Sequence, residues 1–419
     1  MSGGTDRMTQ APPRVRGTAR IHDAPAAGPA TLSPRRRPGH LGALHVLQLV
    51  LIEAVLVGLL AATNAGALTV TGLALIGLVV MLVVLSRSHG RWWLERVVMR
   101  RRYRRRRRAK PDPNEPDARL AALHCLAPAL TVQTVSGPDG AQIGVAEDGA
   151  GWFAIAAVTS PSGMRGETSG QLPLDRLVDV FREAGQPGAV LQVVVHTVPA
   201  PSVDLDPRWP CEASYRELLS LAGPVPADRL SWVVVRLDAQ SLAEAEVGGK
   251  DESAQAPAVV AALVRRLGKA LRRSGLAYQI LDADGVLEAL ARSSDLAAPV
   301  MSSVVVAPRE DWRAWHSASL SHVSYWVRGW PDLARGRAML DALAAAPASM
   351  TSVAMVLAAE GEEVDLQCVV RVGAPVDQIA RACQGVVAAA RSAGARLFRL
   401  DGEQAPAVYV TAPTGGGVR

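Results

Sequence analysis

The sequence predicts an α/β protein: an N-terminal two-helix transmembrane hairpin, then a cytosolic α/β domain built as a pseudo-duplicated β-α-β-β-α-β sandwich. Three observations predict it. Two uninterrupted apolar stretches, residues 41–62 and 68–85, are separated by five uncharged residues. An arginine run follows, with eleven arginines in residues 87–108. Beyond it, strand and helix periodicities alternate in the same order twice.

A bilayer core of about 30 Å takes roughly twenty apolar residues as a helix, so stretches of 22 and 18 residues both qualify. A signal peptide would carry an apolar region of about 7–15 residues and no second span directly behind it. The flanking charge sets orientation. Arg14, Arg16, Arg20 and Arg35 to Arg37 precede the first span, and the arginine run follows the second. By the positive-inside rule both termini are cytoplasmic, in a multi-pass inner (plasma) membrane protein of two spans. Trp92 and Trp93 fall where amphipathic rings settle at headgroup depth. Glu53 lies mid-span, where a carboxylate is costly and faces protein or water. With no basic partner in the pair, it reads as a packing contact to another helix rather than a proton relay. Arg104, Arg105, Arg106, Arg107 and Arg108 form an unbroken block suited to anionic lipid headgroups or an acidic partner. Residues 96–108 are expected to continue the second helix into the cytosol, arginine being a good helix former.

Charge is divided unevenly. The formal net charge is +6, but residues 1–110 hold nineteen Lys+Arg against four Asp+Glu, leaving the remainder at −9. The basic charge therefore belongs to the membrane flanks, and nucleic-acid binding is excluded for the acidic domain. Arginine outnumbers lysine forty-two to three, a bias of GC-rich genomes such as those of actinobacteria. Cys125, Cys211, Cys368 and Cys383 have no paired spacing and read as reduced thiols.

Residues 1–38, rich in Pro, Gly, Ala and Arg, read as a disordered basic tail. Residues 39–86 hold the two spans, and 87–116 form an arginine-rich helix and linker ended by the prolines at 111, 113 and 116. Residues 117–412 are the α/β domain, in similar halves at about 131–297 and 317–412. In the first half a hairpin (131–135, 141–146) precedes strand 151–159, helix 174–184 and strand 190–198. A short helix at 213–222, strand 230–237, helix 256–273, strand 278–281 and helix 286–292 follow. In the second half come strand 322–327, helix 333–345, strands 351–358 and 364–372, helix 376–393, strand 395–400 and a last strand at 407–410. The closing turns match: Arg273-Ser274-Gly275 and Arg391-Ser392 with Gly394 each end a long helix before a strand running to Leu-Asp. A doubly wound parallel sheet is the competing topology.

Catalytic chemistry is hard to place. Residues 266–270 lack the upstream glycine and the Ser/Thr of a phosphate loop, and no GxGxxG, GxSxG or HExxH occurs. Asp282 and Asp284 form a DxD at a strand end, which could hold a divalent metal against a sugar nucleotide in a membrane-anchored glycosyltransferase-like enzyme. The tripeptide is common, however, and Asp282 matches Asp401 in the second half, which suggests a shared turn role. Asp204 and Asp206 are placed equally well by pattern. His316 and His322 bracket a strand start without a third ligand nearby. Trp312, Trp315, Trp326 and Trp330 form the densest aromatic region, suited to a core or to an interface. No catalytic, cofactor-binding or metal-binding residue is assigned, and no small-molecule substrate is predicted; a lipid-sensing scaffold is a further reading.

The layout resembles the EccE family, a membrane component of the mycobacterial-type type VII (ESX) secretion system. The resemblance rests on the basic tail, the close span pair with Glu53, Gly90-Arg91-Trp92-Trp93 with its arginine run, and the acidic α/β region. It implies a non-catalytic structural subunit beside EccB, the ATPase EccC and EccD, docking through its hairpin and cytosolic domain, with no cofactor and no catalytic residues to carry over.

Overall fold

The computed structural model describes residues 40–41, 44–61, 67–84, 86–88, 91–107, 115–159, 172–198, 228–245, 255–296, 307–317, 319–360 and 363–416, with a few isolated positions between 210 and 217. The expected tail at 1–38, most of the helix at 213–222, and Asp204 and Asp206 lie outside the described residues.

Helices α1 (Val46–Ala61) and α2 (Ala67–Val84) come first, then α3 (Trp93–Arg106) and α4 (Ala118–Leu123). The sheet begins with β1 (Thr131–Ser136), β2 (Gln142–Glu147) and β3 (Gly151–Thr159). Next are α5 (Leu174–Ala184), β4 (Ala189–Val198), β5 (Asp228–Asp238), α6 (Ala239–Ala245), α7 (Ala256–Arg273), β6 (Ala277–Ile280) and α8 (Ala283–Ser293). Short strands β7 (Arg309–Glu310) and β8 (Trp315–His316) lead to β9 (Ser321–Gly329), α9 (Leu333–Ala344), β10 (Met350–Glu360) and β11 (Glu363–Ala374). The chain closes with α10 (Ile379–Ser392), β12 (Arg396–Arg399) and α11 (Gln404–Thr411).

The protein is mixed α/β around one large antiparallel sheet, in the order β7-β8-β9-β11-β10-β4-β5-β3-β2-β1, with β6 also on β3 and β12 also on β9. Every ladder is antiparallel, so the doubly wound parallel alternative does not apply. Across the first half the strands run β6-β3-β5-β4, and across the second β10-β11-β9-β12, which mirror each other about the β4–β10 ladder. Each half thus has the strand order of a β-α-β-β-α-β unit.

Alternation along the strands divides the core between two faces. Ala154, Ala156, Val193, Val195, Val233, Val235, Val353 and Val370 lie under α5, α7, α9 and α10. Phe153, Ile155, Val194, Trp232, Val234 and Ala354 lie on the opposite face, under α4, α8 and α11. Because both faces are covered, the central strands read as continuous apolar runs, and a one-residue slip in register would exchange the two sets.

The matched closing turns have a common geometry. α7 buries Val260, Val264, Leu267 and Leu271, one helical stripe, with a proline in its first turn. It ends where Leu276 N–H donates to Leu271 O at 3.0 Å and Gly275 adopts φ 78°. α10 ends the same way, with Ala395 N–H on Ala390 O at 2.8 Å and Gly394 at φ 82°. The left-handed glycine turns the chain while the wider bond satisfies an orphan carbonyl. Gly144 marks a different constraint: its N–H donates to Leu281 O, and a Cβ there would overlap the Asp282 backbone where α8 begins.

Three expectations change. The segment 407–410 is not a strand: it lies within α11, whose eight residues are all buried on the sheet face opposite α10. Its β-branched valines face protein on every side, and burial there outweighs β-propensity. The arginine run does not continue α2, because Arg87–Ser88 pairs with Arg91–Trp92 and Trp93 N–H donates to Ser86 O, so α3 starts anew. Finally, among the described residues no helix is long and apolar enough to cross a membrane. α1 has 16 residues and α2 has 18, so at 1.5 Å per residue they reach about 24 and 27 Å against an apolar core of about 30 Å.

Candidate functional site: the seat of the arginine helix

α3 divides into two faces. Met99, Tyr103 and Arg106, spaced by four and three residues, turn one stripe toward the α/β domain. Met99 is buried. Tyr103 meets Trp312 edge-on, with ring centroids 5.4 Å apart and planes at 87°, a geometry that aligns the positive edge of one ring with the negative face of the other. The Arg100 guanidinium lies 5.9 Å from the Trp312 centroid.

Arg106 closes the contact. Its Nε and Nη2 donate to the two carboxylate oxygens of Glu310 at 3.1 and 3.0 Å, and Nη2 also donates to Gly402 O at 2.6 Å. Glu310 sits on β7 with its side chain only 4% exposed. Its Oε1 also accepts from Ala405 N–H in the first turn of α11 at 3.1 Å. One buried carboxylate thus ties α3 to α11, where a negative charge also suits the positive end of the helix.

Gly402 is the floor of the seat. Its N–H donates to Trp312 O at 2.7 Å, and its φ of 80° suits glycine. A Cβ there would stand 2.7 Å from the Trp312 ring and 3.0 Å from Met99. The opposite side of α3 presents Arg101, Arg102, Arg104 and Arg105 to the surroundings, while Arg107 lies over the Tyr103 ring at 5.7 Å.

The predicted contact residues separate accordingly. Arg106 is in the seat, Arg104 and Arg105 are on the open face, Arg107 packs on Tyr103, and Arg108 lies outside the described residues. Trp93 is 43% exposed; the Trp92 side chain is outside the described residues. Glu53 is exposed on α1, far along the chain from the seat. Sequence reasoning missed Met99, Glu310 and Gly402, which lie up to three hundred residues apart; the tryptophan density near 312 was the only signal. Trp315 is buried, and Trp326 and Trp330 pack on the two sides of the sheet.

The carboxylates of the DxD are engaged elsewhere. Asp282 caps α8, accepting from Gly285 N–H at 2.8 Å, and Asp284 pairs with Arg119 at 2.6 Å. Asp401 instead holds Arg399, so the shared turn does not carry a shared cap. Gly268, inside the segment once weighed as a phosphate loop, sits in α7 against the Tyr278 ring. Cys125, Cys368 and Cys383 are free, and burial pushes the Cys125 and Cys368 thiols up to about 12.

His316 bridges Ser321 Oγ and Asp311, at 2.9 and 3.0 Å. His322 is fully buried, and its Nε2 faces both Ser317 Oγ at 3.3 Å and Asp295 at 3.5 Å. Since serine and aspartate share one ring nitrogen, the imidazole cannot relay a proton between them as a catalytic triad requires. His196 bonds Ser352 Oγ at 2.8 Å, and burial first, then Arg371, push its pKa down to about 3. A histidine lowered on folding binds more protons unfolded, so stability falls as pH drops from about 6.5 toward 3 and is flat above. Between pH 7.5 and 5 the His196 contribution to unfolding free energy should fall by about 2 kcal/mol. Urea titrations of wild type and His196→Gln check this; equal pH slopes in the two would refute it.

Residues 225–327 match the family model described as "Putative type VII ESX secretion system translocon, EccE". The family is EccE. No curated protein matches the chain. The EccE match runs from β5 through most of β9, and so includes Glu310 and Trp312, the domain side of the seat, while Arg106 and Gly402 lie outside it.

Proposed function

We propose that the protein is a non-catalytic structural subunit of an inner-membrane type VII secretion complex. In this reading α1 and α2 form a hairpin held in the membrane, with both chain ends cytoplasmic. The α/β domain stands against neighbouring subunits of the EccB, EccC and EccD kinds, and neither half of the domain binds a substrate. The observation that carries it is the seat: a helix rich in arginine is fixed to the domain on one face and carries exposed arginines on the other. That construction holds a domain at a set orientation to an anionic surface, where each arginine adds about 1 kcal/mol of attraction.

The apolar helices support the membrane part of the reading. Leu51, Ile52 and Val55 of α1 and Val80 and Met81 of α2 line a small apolar gap between the two helices. Among the described residues the exposed large hydrophobics lie on these two helices, apart from Trp93, Val98 and Val376. An apolar surface of that kind marks contact with lipid or with other helices. Helices a few ångströms shorter than the apolar core are accommodated by local thinning or by association. Exposed Glu53 then calls for a polar partner on a neighbouring helix.

Pull-down of the intact protein from membranes in mild detergent tests the reading, with recovery of other membrane subunits as the expected result. Recovery as a lone monomer would sink it. Alanine at both Asp282 and Asp284 should leave export intact; loss of export from a fully assembled complex would favour the enzymatic alternative.

A further inference from the structure

Two arginines are buried on the sheet face covered by α4, α8 and α11, and the protein treats them differently. Arg236 on β5 is paired through both terminal nitrogens with Asp148, at 2.7 and 2.9 Å, and Nη1 also donates to Thr414 O. Tyr409 donates to the same carboxylate at 2.8 Å. Its group is complete.

Arg371 on β11 is just as buried, yet among the described residues no carboxylate lies within ion-pair distance of it. Its Nη2 donates to Ser293 O, at the end of α8, and to Ser352 Oγ at 3.2 Å. Nε and Nη1 are buried without a partner, leaving one N–H on the first and two on the second. Burial pushes this guanidinium down to about 10, whereas Asp148 outweighs the same burial at Arg236 and raises it.

The groups around Arg371 are mostly donors in the same condition. Ser324 stands directly across the ladder from it, and Ser293 and Ser294 end the helix whose carbonyl it binds. All three hydroxyls are buried and unpartnered, as is Nδ1 of His322, two residues before Ser324. The nearby carboxylate, Asp295, is taken up by Ser317, Ser319 and His322. Its side chain is 25% exposed, which puts the cluster next to the surface.

We propose that the cluster of Arg371, Ser293, Ser294 and Ser324 is an internal binding site for a small oxyanion of the phosphate class. A buried cation with unused donors is costly, and an acceptor-rich anion supplies what the arginine lacks. Buried, unpartnered hydroxyls at the end of α8 and on β9 thus neighbour the unused N–H groups of Arg371 on β11, a set of donors that a tetrahedral oxyanion can accept from. Burial selects a free ion over a lipid headgroup.

Inorganic phosphate is the probe. The full-length protein in detergent is titrated calorimetrically at pH 7.5, at constant ionic strength set with sodium chloride. Arg104→Gln/Arg105→Gln removes exposed arginines that could bind phosphate loosely. One saturable site is expected in wild type and in that double variant. Ser324→Ala should weaken it about fivefold, and Arg371→Met should abolish it. Ser324→Ala decides the matter if Arg371→Met does not fold. Absence of a saturable site in wild type overturns the proposal, as does unchanged affinity in either folded variant. Loss of the site in the double variant alone would assign the binding to α3 and overturn it equally.

Discussion

Replacing Asp148 with alanine is expected to lower the unfolding free energy by about 3–5 kcal/mol, the loss typical of breaking a buried ion pair from one side. The Asp148 carboxylate is fully buried beneath Arg236, itself 2% exposed, so removing it leaves an uncompensated charge in the core. It also strands the Tyr409 hydroxyl, whose pKa burial and the neighbouring Asp148 hold well above the ordinary range. The double variant Asp148→Leu/Arg236→Met should recover most of the loss, because it removes both desolvated charges together. Urea denaturation of the full-length protein in detergent measures both. A change under about 1 kcal/mol in the single variant would mean that the pair is not buried as described. The group matters for architecture because it joins the loop before β3, strand β5, helix α11 and the segment after it.

Glu310→Ala should free the arginine helix from the domain. The substitution takes both carboxylate acceptors from Arg106, leaving it Gly402 O, and removes the Oε1 contact from Ala405 N–H. With Glu310 almost fully buried and Arg106 19% exposed, the expected loss is about 2–4 kcal/mol. Limited trypsin digestion reads it directly, since cleavage inside α3 requires local opening. The rate at that helix should rise by at least about tenfold, the equivalent of 1.4 kcal/mol in the opening equilibrium. Glu310→Gln keeps the shape and an acceptor, so it should fall between the two. If cleavage of Glu310→Ala matches wild type, Met99 and the Tyr103–Trp312 contact hold the helix without the ion pair.

Much of the sheet was legible because its strands are long and chemically uniform. Residues 151–159, 190–198 and 230–237 carry apolar runs of strand length, and each lies within β3, β4 or β5. The Gly275 and Gly394 turns were legible too, since a left-handed residue at a helix end leaves a signature in the sequence. The segment 407–410 misled for a related reason: valine and tyrosine read as strand, and only the sheet face beneath α11 shows why they are helical. The seat was hardly legible at all. Its arginine could be named, but which of a run of arginines turns inward depends on Glu310 and Gly402, placed by β7 and by the turn before α11.

By itself the sequence determined the segregation of charge, the two apolar stretches, the antiparallel-compatible alternation of elements and the likeness to EccE. The first three follow from local composition and from periodicities of two and 3.6, which neighbouring residues impose on one another; the likeness rests on the span pair, Gly90-Arg91-Trp92-Trp93 and the arginine run. The tertiary structure decided which arginine is clamped, which of two buried arginines has a carboxylate, and that the DxD is a cap and an ion pair. Those outcomes depend on distances between residues far apart in the chain, such as Asp148 and Tyr409, and a linear pattern carries no record of them until the sheet brings them into contact.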